Sequence, residues 1–120
     1  MAANGSEHVV FSTHGCHLVA RLTDSQIVSM AVASQIRDSL LHALKQQGSG
    51  VRSVRIDLGH VEQIGSAGLN ELIGFRTRAQ GQGLTVELAA PQPQVREVLM
   101  LTRLDRIFEV EEMPIEPSKN

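Results

Sequence analysis

The sequence is short of several things that whole classes of protein need. Cys16 is the single cysteine among 120 residues, so no internal disulfide can form, and a lone thiol suits a reducing compartment. Tryptophan and tyrosine are absent and only three Phe occur, which leaves little from which to build base-stacking platforms. The formal net charge is -2, so no basic field draws the chain to DNA, RNA or an anionic membrane. No apolar run is long enough to span a bilayer, and the opening MAANGSEH lacks the basic-apolar pattern of a signal peptide. These absences predict a soluble cytoplasmic protein with no nucleic-acid partner and no membrane insertion.

What is present fits one domain, since 120 residues can enclose one core and are too few for two. The expected domain spans 8–111. Before it lies a small polar stretch, 1–7, expected to be flexible. After it comes an acidic tail with two prolines, 112–120, expected to be disordered. HVVFS (8–12) and CHLVARL (16–22) read as two strands of a hairpin turning at Thr13-His14-Gly15. Asp24 or Ser25 is placed to cap a short helical segment. A long helix follows to about Gln47, with Val32, Ile36, Leu40, Ala43 and Leu44 at steps of three and four. Gly48-Ser49-Gly50 ends it.

Val54, Ile56 and Leu58 then alternate with Arg55 and Asp57, as in a half-buried strand over 53–58. Val61 and Ile64 return the chain to the core, and a helix runs from Ser66 to about Gln80. LTVELA (84–89) gives another strand. Pro91 and Pro93 introduce a third helix, with a stripe of Val95, Val98, Leu99 and Thr102, and IFEV (107–110) closes as a last strand. Helices between successive strands favour parallel neighbours. The expected fold is therefore α/β: a mixed sheet of four or five strands packed against helices, with the first two strands a hairpin.

Ser66 stands where a helix N-cap belongs, with Leu69, Leu72, Ile73 and Arg76 following at helical spacing. A hydroxyl there lies beside unpaired N–H groups at the positive end of the helix dipole. Such a place suits a phosphate, bound or covalently attached. The commoner role of a serine there is a plain cap, whose removal costs about 0.5–2 kcal/mol. Gly68, in the first helical turn, serves either close packing on the sheet or close approach of a partner's backbone, and packing is preferred. Asp57 reads as a loop hydrogen-bond acceptor, because no partner acid, base or metal is assured for catalysis. His14, Cys16 and His17 form a cluster reminiscent of metal ligands, but strand neighbours diverge and a structural zinc site wants four ligands. No metal site and no catalytic constellation is expected.

The order D-L-x-x-V-x-x-I-x-S-x-G-L-x-x-L, from Asp57 to Leu72, resembles the central motif of STAS domains, the anti-sigma factor antagonists and their relatives. The stretch GQGLTVELAAPQPQVREVLMLTRLDRIFEV is similar to the second half of such domains, with its V-R-x-V and L-x-R-x-F elements. The resemblance implies a STAS fold and a role in signal transduction and transcription regulation. The unmodified protein would bind an anti-sigma factor serine kinase, which would phosphorylate Ser66 with ATP and so end the interaction. A PP2C-type serine phosphatase would reset it. The protein would be a substrate and not an enzyme, with no cofactor. Its partner-binding surface would comprise Gly65, Ser66, Ala67, Gly68, Asn70, Glu71 and Gly74. Two positions depart from the family pattern: Gly65 stands where an acidic residue is common, and LTDSQIV replaces a G-E-L-D-like segment. Gly65 is expected to allow a backbone conformation that other residues resist. The alternative reading is a STAS scaffold or adaptor without a phosphate cycle, such as a transporter-associated or signalling-complex subunit.

Overall fold

A computed structural model describes residues 8–46 and 50–111. The flexible stretch expected at 1–7, the tail expected at 112–120 and the Gly48-Ser49 stop lie outside the described residues.

The chain opens with a hairpin of β1 (Val9–His14) and β2 (His17–Leu22), paired from Val9↔Leu22 to His14↔His17. Gly15, the first residue of its tight turn, has φ +63, a conformation that glycine adopts without a Cβ clash. After α1 (Met30–Gln46) come β4 (Ser53–Asp57), α2 (Ser66–Gly81), β6 (Thr85–Ala89), α3 (Pro93–Leu101) and β7 (Glu109–Glu111). The main sheet has five strands in the order β1-β2-β4-β6-β7, with β1 antiparallel to β2 and the rest parallel. Each crossover steps the same way across the sheet, so right-handed connections put the three helices on one face.

Burial follows that arrangement. Leu18, Ala20 and Leu22 of β2, Val54 and Ile56 of β4, and Val86 and Leu88 of β6 are buried against the helices. The helices contribute Ile36, Leu40, Leu72, Phe75, Val95 and Leu99. On the opposite face Arg55 and Glu87, cross-strand partners in register, form an ion pair at 3.1 Å.

Two short strands were not foreseen from the sequence. Gln26–Ile27 and Gln63–Ile64 form β3 and β5, a separate two-stranded parallel sheet. The short helical segment expected after Asp24 or Ser25 is therefore absent, and neither residue caps a helix. Asp24 instead meets His8 Nδ1 at 2.7 Å, and the Ser25 carbonyl accepts the N–H groups of Glu62 and Gln63. The cap of α1 is Ser29, whose Oγ accepts the Val32 N–H at 3.1 Å. The last strand also starts later than expected. Leu104–Arg106 forms a 3-10 turn, and the Phe108 N–H bonds back to the Leu104 carbonyl at 2.9 Å, so Ile107 and Phe108 belong to that turn.

Arg103, just after α3, lies in the left-handed region at φ 63. Its N–H reaches the Met100 carbonyl at 3.1 Å, in the position where helices usually end on glycine. Arg103→Gly removes the Cβ crowding and is expected to raise stability by roughly 0.5–1 kcal/mol. A urea midpoint that falls on this substitution would count against the assignment.

Candidate functional site

The β3–β5 pair sets the geometry of the site. Two parallel strands run side by side, and each leads directly into a helix. Ile27 continues through Val28 and Ser29 into α1, and Ile64 continues through Gly65 into α2. The N-termini of α1 and α2 therefore leave from the same end of the pair. Gly65 is tied to the neighbouring strand by its N–H, which donates to the Ile27 carbonyl at 2.9 Å.

Ser66 is not the N-cap that its sequence position suggests. Gly65 is the cap, with φ -102 and ψ -175, and its carbonyl accepts the Leu69 N–H at 3.0 Å. The bond from Gly65 to Ile27 holds the chain extended at residue 65, so helical geometry begins one residue earlier than expected. Ser66 is the first helical residue, and its side chain is exposed. No side chain caps α2, and no acidic residue stands in its first turn. No acidic side chain within that turn offsets the helix dipole at its N–H groups.

Gly65 also differs from expectation. A φ of -102 is open to any residue, so the backbone does not require glycine there. An added Cβ would lie 3.7 Å from Val28 Cα, ordinary contact distance. Gly65→Asp should fold as the parent does, with a gain of a few tenths of a kcal/mol from capping and the dipole. Thermal unfolding checks this, and a fall of several degrees would contradict it.

The other expected contact residues separate into two groups. Asn70 and Gly74 are exposed, and Ala67 is half-buried. Gly68 is buried, and a Cβ there would come within 2.8 Å of Ile27 Cγ2 and 2.9 Å of Ile64 Cγ1. It seats the first turn of α2 on the β3–β5 pair and does not present a surface. Glu71, expected in the partner-binding surface, is half-buried, and both its carboxylate oxygens lie 3.4 Å from Arg37 Nη1. It joins α2 to α1. The Arg37 pKa is raised, first by its hydrogen bond to Asp38 and then by the Glu71 charge.

Asp57 shapes the loop before the site. Its Oδ1 accepts the Gly59 N–H at 2.8 Å, while Gln92 Nε2 donates to the Gly59 carbonyl at 2.8 Å. The Val61 N–H closes a turn onto the Leu58 carbonyl at 3.0 Å, and His60 is exposed. The 58–61 loop is thus held from two directions.

His14, Cys16 and His17 sit at the other end of the sheet, where His17 pairs with Ser53. His17 Nδ1 contacts the Ser53 hydroxyl, and His14 Nε2 lies 3.2 Å from Ser12 Oγ. Among the described residues, no three His, Cys, Asp or Glu side chains gather as metal ligands. Nor is any described helix long and apolar enough to cross a membrane.

Two features around the β3–β5 pair were invisible in the sequence. Val28 and Met30 are exposed apolar side chains where the chain enters α1, and Val28 lies against Gly65. An open groove of about 320 Å³, lined by Gln26, Glu62, Gln63, Ile64, Gln94 and Val98, lies between the β3–β5 pair and α3. Both depend on the β3–β5 pairing, which two-residue strands cannot announce through periodicity.

No curated protein matches the chain. Solved structures do. An anti-sigma-factor antagonist (STAS) domain protein from Planctomyces limnophilus is 24% identical, with a TM-score of 0.75 over 88% of this chain and 89% of that one. An anti-sigma factor antagonist from Mycobacterium paratuberculosis is 24% identical, with a TM-score of 0.73 over 94% of this chain and 89% of that one. The Bacillus cell fate determinant SpoIIAA in its phosphorylated form is 17% identical, with a TM-score of 0.62 over 85% of this chain and 89% of that one. At these identities the likeness is one of fold. The sequence itself matches the STAS domain over residues 12–119, and the chain therefore belongs to the STAS domain family.

Proposed function

We propose that this protein is an anti-sigma factor antagonist, a phosphorylatable switch in signal transduction. Unmodified, it binds an anti-sigma factor serine kinase through the N-terminal face of α2. The kinase transfers phosphate from ATP to the Ser66 hydroxyl, the complex separates, and a PP2C-type serine phosphatase restores the free hydroxyl. The protein is the substrate of both reactions and catalyses neither.

One observation carries this reading. Ser66 is exposed at the first position of a helix whose N-terminus has no side-chain cap and no acidic residue. A phosphoryl group there adds about -1.5 to -2 charges beside the positive end of the dipole, so the fold accommodates it. A partner face fitted to a neutral hydroxyl does not, since it would bury that charge without a counter-ion. That one fold relative is a phosphorylated form supports the same chemistry.

Gly65 favours a second reading, a scaffold that docks through this face without a phosphate cycle, because a kinase that reads an acidic neighbour finds none. The two are separated by measuring the affinity of the kinase for the full chain, unmodified and phosphorylated on Ser66. The switch requires a loss of at least tenfold on phosphorylation. Equal affinities would leave the scaffold.

A further inference from the structure

A histidine remote from Ser66 in sequence is tied to the strand that frames it. His8 directly precedes β1, and its carbonyl accepts the Thr23 N–H at 2.9 Å. Its ring reaches two further elements. Nδ1 meets Asp24 Oδ2 at 2.7 Å, on the link from β2 to β3. Nε2 meets Gln35 Oε1 at 2.5 Å, on α1. The ring therefore joins the chain just before β3 to the helix that follows it. With an oxygen on each side, both ring nitrogens donate, which only the charged imidazole can do. The His8 and Asp24 side chains are 21% and 26% exposed, so the pair is screened less than one at the open surface. β3 in turn holds the start of α2. The Ser25 carbonyl accepts the Glu62 and Gln63 N–H groups at 2.7 and 3.0 Å, and the Ile27 carbonyl accepts that of Gly65 at 2.9 Å. An isolated pair of short strands is marginally stable in water, so the place of this one depends on what fixes its ends.

We propose that His8 is a positioning residue for the Ser66 face: its charged ring clamps β3 between Asp24 and Gln35 and, through β5, sets where α2 begins. This deepens the antagonist reading and rests on it for the use of that face. From the β2–β3 link the ring faces the Asp24 carboxylate. From α1 it faces the neutral Gln35 amide, while Asp38 of that helix lies 3.1 Å from Arg37. From the end of β2 comes the Thr23 N–H. Glu7, its chain neighbour, lies outside the described residues. The clamp is complete while His8 is charged and Asp24 ionised. When the ring loses its proton, the attraction to Asp24 is lost and a lone pair on Nε2 meets the Gln35 oxygen. The hold on β3 therefore slackens as pH rises from 5 to 8, the range in which histidine changes charge.

The test is amide hydrogen exchange of the full chain from pH 5 to 8, read as protection factors, which already remove the intrinsic effect of pH on exchange. Gln63 and Gly65 report on the clamp, and Ile56 and Leu88 of the main sheet serve as internal controls. In the parent, protection at residues 63 and 65 should fall about fivefold or more across the range, while 56 and 88 hold within about twofold. In His8→Ala it should be low at every pH. Gln35→Glu gives the ring a second carboxylate, so the fall should move to higher pH by roughly half a unit or more. This variant adds a charge at an exposed position and decides the matter if His8→Ala fails to fold. Glu7→Gln should leave the profile where it is. A flat parent profile, or an equal fall at residues 56 and 88, would overturn the clamp. So would a Gln35→Glu profile that coincides with the parent's, or a profile abolished by Glu7→Gln. Each of these leaves the phosphate switch standing, because modification of Ser66 is read separately by mass. An unmodified Ser66 beside the expected exchange profiles would retain the clamp and overturn the switch.

Discussion

Ser66→Glu is expected to lose partner binding and remain folded, whereas Ser66→Ala keeps both. The reason lies in the position of residue 66. As the first helical residue, with Gly65 as the cap and no side-chain cap bond, Ser66 holds no hydrogen bond that alanine would forfeit. Alanine is also the better helix former. Its melting temperature should match the parent's, instead of showing the loss that follows removal of a true N-cap. Glutamate at the same position meets the positive end of the dipole, worth about 0.3–1 kcal/mol in its favour. At the interface its charge would be desolvated without a counter-ion, and affinity should fall by roughly 2 kcal/mol or more, about thirtyfold. Titration of both variants against the kinase, with thermal unfolding as the control, measures this. If both bind as the parent does, Ser66 is not part of the switch.

Gly68→Val should be the most damaging single change near the site. Helix propensity alone argues the other way, since glycine is the poorer helix former by a few tenths of a kcal/mol. Packing overrules it. The new Cβ would come within 2.8 Å of Ile27 Cγ2 and 2.9 Å of Ile64 Cγ1, and both atoms belong to β-branched, buried side chains that have little freedom to yield. The γ carbons of valine add to the overlap. The helix must lift from the β3–β5 pair, with a net cost of about 2–3 kcal/mol. Chemical denaturation reads the loss directly. Partner binding should weaken too, because the lifted turn carries Ser66. A Gly68→Val protein as stable as the parent would mean that the first turn of α2 is not seated as described.

The regular parts of this fold were legible because they bury whole faces. Leu18, Ala20 and Leu22 alternate, as do Val54 and Ile56, and the stripe of Ile36, Leu40 and Leu44 repeats at helical spacing; each set is buried as its period implies. What the sequence hid was short or local. Gln26–Ile27 and Gln63–Ile64 are two residues each, too few for a period, and their pairing is a long-range event. The preceding Asp24 and Ser25 looked like caps because their side chains suit that role, yet Ser29 takes it. Ser66 was found as the exposed hydroxyl of a helix start. The one-residue shift to Gly65 was not legible, because it follows from the hydrogen bond between Gly65 and Ile27, a contact across strands the sequence did not reveal. Glu71 looked exposed for the same reason: its partner Arg37 lies on another helix.

The central claim is that Ser66 carries a phosphate in the living cell. The most direct measurement is the intact mass of the protein purified from its native host, with the modified residue located by fragmentation. The account predicts a population heavier by one phosphoryl group, mapped to Ser66, removed by a PP2C-type phosphatase and absent from the Ser66→Ala protein. A single unmodified mass under every growth condition, or a phosphate mapped to another residue, would contradict it.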